Sequence, residues 1–219
     1  MSASAREKLL GVFLRRAQAS SRARPSLSGL AALLVVGAAS FPLTFKAMAE
    51  EAALDQLPGT RIDANWFRYA NRKAGVAIDI PTKGFRYDVP AGGSDLTLTS
   101  NDGAITITVS AHGVRKVLGT APNDARQSIA RLFDTAVDNA HRKNGAITYK
   151  VKKDNFFVLS GVVDDNTYYE RLNISPSCPA GFSALRVFHR KSLTSRLNRL
   201  VTRMSLSLRA TCQAEEGPA

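Results

Sequence analysis

Residues 96–109 read LTLTSNDGAITITV. Apolar residues alternate with threonine on both sides of Asp102-Gly103. A period of two sends the apolar side chains to one face of a strand and the threonines to the other. Asp-Gly between two such runs is the strongest short-range hairpin signal. The stretch therefore predicts two antiparallel strands joined as a hairpin. Beyond it the period changes. Ala125, Ile129, Leu132, Phe133, Ala136, Val137 and Ala140 recur at the spacing of one helix face, which predicts a helix over 122–144. Asn123 or Asp124 can cap its start, and Gly145 follows Arg142-Lys143 at its end. Arg126, Gln127, Asp134 and Asp138 fall on the opposite, solvated face.

Upstream, the fold starts at Trp66-Phe67-Arg68-Tyr69. Short strands follow at 76–80, ended by Pro81, and at 85–89. Downstream, 146–152, 156–163, 167–175 and 182–189 read as strands. Asp154-Asn155 and Asp164-Asp165-Asn166 are turns, and 176–181 is a loop holding Cys178. Leu193, Leu197, Leu200, Val201, Met204 and Leu208 mark a second amphipathic helix. Hairpin-length loops argue for antiparallel pairing. The predicted class is α+β: an antiparallel sheet flanked by two main amphipathic helices. One domain over 65–212 is expected, after a linker at 50–64 broken by Pro58-Gly59, with a tail at 213–219.

Residues 1–49 have a different character. Arg15, Arg16, Arg22 and Arg24 precede an uncharged stretch at 27–45, and Ala47-Met48-Ala49 follows. A basic flank, an apolar middle and a small-residue site make up a secretory signal peptide. The uncharged stretch is also long enough for an N-terminal membrane anchor. Either way the rest of the chain is expected outside the cytoplasm: periplasmic or secreted if cleaved, anchored in the inner membrane and facing the periplasm if not. The whole chain has 30 Lys+Arg against 18 Asp+Glu, a net charge of +12. Residues 1–49 hold seven of the basic and one of the acidic residues, leaving a net +6 for the remainder. A charge of this size gives mild attraction to anionic surfaces and does not single out nucleic acid. At 44% hydrophobic and 22% charged residues, the chain is neither disordered nor a polytopic membrane protein.

Cys178 and Cys212 are the two cysteines. In an oxidising compartment they are expected to form one disulfide, closing a loop of about 35 residues and contributing roughly 3–4 kcal/mol. Two free thiols are the alternative.

The stretches at 66–81 (WFRYANRKAGVAIDIP), 96–111 (LTLTSNDGAITITVSA) and 156–171 (FFVLSGVVDDNTYYER), with the closing basic helix, resemble exported bacterial domains related to the PsbP/DcrB-like α/β/α sandwich. The resemblance implies an antiparallel sheet flanked by helices and an accessory or binding role. It carries no catalytic residues, and fold by itself does not fix function.

His112, His141 and His189 show no metal-ligand spacing, and no metal site or cofactor is expected. Ser160-Gly161 lies in a strand and lacks the surroundings of a nucleophile elbow. Asp164-Asp165-Asn166 lacks the spacing of a calcium loop. Tyr168-Tyr169-Glu170-Arg171 places aromatics on both faces of a strand, as packing requires. The sharpest feature is the last helix. Arg196, Arg199 and Arg203 fall at i, i+3 and i+7, and Arg190, Lys191 and Arg209 extend the basic character. This is either a solvated face or a contact for an anionic partner. The expected function is a non-enzymatic accessory or binding protein of the bacterial envelope. The alternatives are a membrane-tethered binder of anionic lipid or wall polymer, and a hydrolase with a spatially assembled site.

Overall fold

The computed structural model describes residues 54–90, 95–120 and 124–212. The signal or anchor read at 1–49, its uncharged stretch at 27–45 and the tail at 213–219 lie outside the described residues. The chain runs β1 (Gly59–Arg61), β2 (Trp66–Asn71), β3 (Val76–Pro81), β4 (Phe85–Asp88), β5 (Leu96–Ser100) and β6 (Ile105–Gly113). Helices α1 (Val114–Leu118) and α2 (Ala125–Arg142) follow. Then come β7 (Ala146–Lys152), β8 (Phe156–Val163), β9 (Asn166–Ser175) and β10 (Cys178–Arg190). A turn of 3-10 helix leads into α3 (Thr194–Ser207), and β11 (Arg209–Ala210) closes the described chain. The fold is α+β with antiparallel pairing throughout.

The hairpin of residues 96–109 forms in the expected register, with Leu96 opposite Val109 and Leu98 opposite Ile107. Gly103 takes a positive φ of 70°, which the turn requires and a side chain would resist. The strands divide between two sheets. β4-β5-β6-β10-β9-β8-β7 make a seven-stranded sheet, and β1-β2-β3-β11 a four-stranded one. Pleating splits β10 between two cores. Leu185 and Val187 join Leu96, Leu98, Ile107 and Val109, the small sheet's Ile78 and Ile80, and Met204 and Leu208 from the α3 end. Phe182 and Ala184 face the other way, onto Phe157, Leu159, Leu172, Ile129 and Leu132. The large sheet is thus the middle layer, with α1 and α2 on one face and α3 with the small sheet on the other.

Helix α2 starts at Asp124, whose Oδ1 accepts the Gln127 N–H at 2.7 Å. Its apolar face buries Ile129 and Leu132, and Arg126, Gln127, Asp134 and Asp138 are exposed. Three local readings need correction. First, the segment read as a linker contributes to the fold. Leu54 is 1% exposed and sits in the first core, and Gly59–Arg61 pair with β2. Pro58-Gly59 ends one element and starts another instead of releasing the chain. Second, the loop at 176–181 is mostly strand. Cys178–Gly181 belong to β10, and a register shift between Cys178 and Phe182 accommodates Pro179 and Gly181 there. Third, α1 and β11 carry too few residues to show a period, and both are additions. Among the described residues no helix is long and apolar enough to cross a membrane.

Candidate functional site

Helix α3 buries Leu197 and Met204 and leaves its arginine stripe outward. Arg196 and Arg199 are exposed and meet no carboxylate among the described residues. Leu206, 62% exposed, lies two turns beyond Arg199 on the same side of the helix. Between α3 and the small sheet lies a shallow groove of about 710 Å³, bordered by Arg68, Asp79, Arg199, Arg203, Leu206 and Arg209.

Among the described residues Asp79 is the only carboxylate lining this groove, and it is 6% exposed. A charge at that depth requires pairing. Arg68 Nε binds its Oδ1, and Arg203 Nε stands 3.5 Å from its Oδ2. The Asp79 backbone N–H donates to Ser207 Oγ at 2.9 Å, and that hydroxyl donates to the Met204 carbonyl at 3.0 Å. This network ties β3 to the last turn of α3. Arg203 is further placed by Trp66, its guanidinium carbon 4.2 Å from the ring centre, and by Asp63 at 4.0 Å. Arg209 Nη1 donates to the carbonyls of Leu206 and Leu208, where a cation also suits the negative end of the helix dipole.

The cations predicted as one surface are therefore sorted. Arg196 and Arg199 stand open. Arg203 is committed to Asp79 and Trp66, so it shapes the groove instead of serving as a free charge. Arg190 and Lys191 are exposed at the end of β10 and in the following turn, and do not line the groove. Arg68 and Asp79 belong to the site and were not singled out in the sequence, because β2 and β3 meet α3 only in the tertiary fold. Their alternation with buried neighbours would have placed them on the outward face of their hairpin, where Arg68 is opposite Asp79.

Cys178 and Cys212 form a disulfide with Cα atoms 5.4 Å apart, joining the start of β10 to the chain beyond β11. His112 Nε2 is 3.3 Å from Asp95 Oδ1. Burial pushes the His112 pKa down, and the Asp95 charge opposes that shift. His189 is buried, with Nδ1 2.8 Å from the Arg190 carbonyl. Neither histidine lines the groove. Among the described residues no group of three or more His, Cys, Asp or Glu is placed to hold a metal ion.

No family model matches the chain. No curated protein matches it either. Among solved structures, the chain is similar to cyanobacterial PsbP (CyanoP) from Synechocystis sp. PCC 6803, with 12% identity and a TM-score of 0.49 over 70% of this chain and 96% of that one. It is also similar to the Saccharomyces cerevisiae Ran-binding protein Mog1p, with 10% identity and a TM-score of 0.45 over 68% of this chain and 97% of that one. Both are weak likenesses of fold alone.

Proposed function

We propose that this chain is a non-enzymatic binding or accessory module that holds an acidic segment of a partner protein in the groove beside α3. The observation that carries this reading is the charge balance of the groove. Four arginines border it, and the single carboxylate is already engaged by two of them. Among the described residues Arg199 and the neighbouring Arg196 have no carboxylate to answer them. Exposed Leu206 supplies an apolar contact beside the charges, a combination that suits a peptide more than a free ion. We further propose that the module acts outside the cytoplasm, in the bacterial envelope. Support comes from the signal or anchor pattern at 1–49 and from the disulfide, which persists in oxidising compartments.

A second reading is favoured by the same leucine. Arg196, Arg199 and Leu206 on one exposed stripe would also suit an anionic membrane surface. One experiment separates the two. The whole chain and its R196Q/R199Q variant are compared for binding to envelope proteins and to vesicles containing about one-third anionic lipid, at low and high salt. Capture of a protein through an acidic segment, lost in the variant, supports the first reading. Vesicle binding lost in the variant, without such a protein, supports the second. Binding that survives the double substitution overturns both.

A further inference from the structure

Arg171 lies on β9, on the same face of the large sheet as α3. Its guanidinium stacks on the Phe156 ring, with its central carbon 4.6 Å from the ring centre. It donates to Asn173 Oδ1 at 3.1 Å and to Ser205 Oγ at 3.3 Å. These partners are neutral, and no ion pair holds it among the described residues. A half-buried guanidinium without a carboxylate is unusual, because burial penalises its charge. Beside it is a second guanidinium. Arg171 and Arg209 both line a cleft of about 400 Å³, together with Asn155, Phe156, Asn173 and Ser175, and no acidic residue among the described residues lines it. Burial lowers the Arg171 pKa; Tyr169, which also hydrogen-bonds to it, opposes that shift, and the Arg209 charge adds to it. Arg209 also borders the α3 groove, so the two concavities share a wall.

We propose that the Arg171–Arg209 cleft is a second carboxylate subsite, and that an acidic segment lying in the α3 groove continues past Arg209 into it. The segment's location in the α3 groove rests on the function proposed above. Two guanidinium groups present forked donors that match carboxylate oxygens. Asn155 and Ser175 add neutral donors at the rim, and the Phe156 ring keeps the Arg171 plane fixed. A partner carrying one carboxylate would use one subsite. Spacing two cationic subsites along a single surface selects for a segment with acidic residues on both sides of Arg209.

The test is titration of the whole chain with a fluorescent hexaglutamate peptide, with hexaglutamine as control, followed by anisotropy at low salt. R171Q is expected to weaken hexaglutamate binding about tenfold, as loss of a charge-assisted pair does. In the unsubstituted protein the Asn155 side-chain amide resonance is expected to move on titration. That residue lines the second cleft and not the first, so its signal decides the matter even where R171Q fails to fold. Weakening in R196Q/R199Q with no change in R171Q, or a stationary Asn155 signal, would overturn the second subsite and leave the α3 reading standing. Weakening in R171Q alone would overturn the continuous segment. Equal binding of hexaglutamine, or none of hexaglutamate, would overturn this proposal and the α3 reading together.

Discussion

The guanidinium of Arg203 lies 4.2 Å from the centre of the Trp66 ring while its Nε faces Asp79. The contact locks α3 to the small sheet and removes Arg203 from the set of free cations. A cation over an indole contributes about 0.5–1 kcal/mol at a partly exposed site. Loss of one Asp79 partner adds to that, so R203Q is expected to cost about 1–2 kcal/mol. R199Q, which breaks no internal pair, should stay within about 0.5 kcal/mol of the parent. Trp66 is the sole tryptophan, so urea melts followed by its fluorescence report both variants directly. Equal stability of R203Q and R199Q would contradict this division of roles.

Disulfide removal is the second prediction. The bridge spans a sequence separation of 34 and ties β10 to the residues after β11. Replacing both cysteines with serine should cost about 3–4 kcal/mol on the chain-entropy estimate. Thermal melts with and without reductant check it: the parent should shift with reductant, and the double variant should not.

Gly161 supplies the third. It lies in β8, opposite Tyr168 of β9. A Cβ there would overlap the Ala146 carbonyl oxygen and the Tyr168 ring. G161A should therefore destabilise by about 1–3 kcal/mol, although alanine suits a strand better than glycine. A melt showing G161A at least as stable as the parent would refute the packing argument. The same contact explains why Ser160-Gly161 belongs to sheet packing.

The fourth concerns acid. Burial lowers the folded His112 pKa below its ordinary 6.5, with Asp95 opposing and the Lys116 and Arg186 charges reinforcing the shift. The unfolded chain therefore binds the proton more readily than the folded one. Stability from this site is fully present above pH 6.5 and is lost as pH falls through the folded pKa. H112Q should flatten the dependence of the urea midpoint between pH 7.5 and 5. An unchanged slope would show that His112 does not govern it.

Helix capping gives the fifth. Asp124 accepts the Gln127 N–H, which settles the choice that the sequence left between Asn123 and Asp124. D124A is expected to cost about 1 kcal/mol, and D124S close to nothing, by circular dichroism melts.

Much of the fold was legible in the sequence, because periodicity is local. Alternating threonines fixed the faces of β5 and β6, and the helical recurrence from Ala125 to Ala140 fixed the buried stripe of α2. Short pieces escaped. Arg209–Ala210 pair with only Ala77 and Val76, too few residues to carry a period. Residues 54–61 escaped because Leu54 and Leu57 are isolated apolar residues in a polar stretch. The candidate site was half legible. The spacing of Arg196, Arg199 and Arg203 predicted one basic stripe, but nothing local distinguished the paired Arg203 from the open Arg199.

Local patterning was thus enough to specify the α+β class, the hairpin at 96–109, the two main helices and the faces they bury. These follow from side-chain period and turn chemistry within a few residues. The tertiary structure decided which strands share a sheet, which arginines are neutralised, and that Arg171 and Arg209 stand side by side. Asp79 meets Arg203, and Phe156 meets Arg171, only because separate strands and α3 converge. Such convergence depends on burying two apolar faces of one sheet at once, which no local window of the chain encodes.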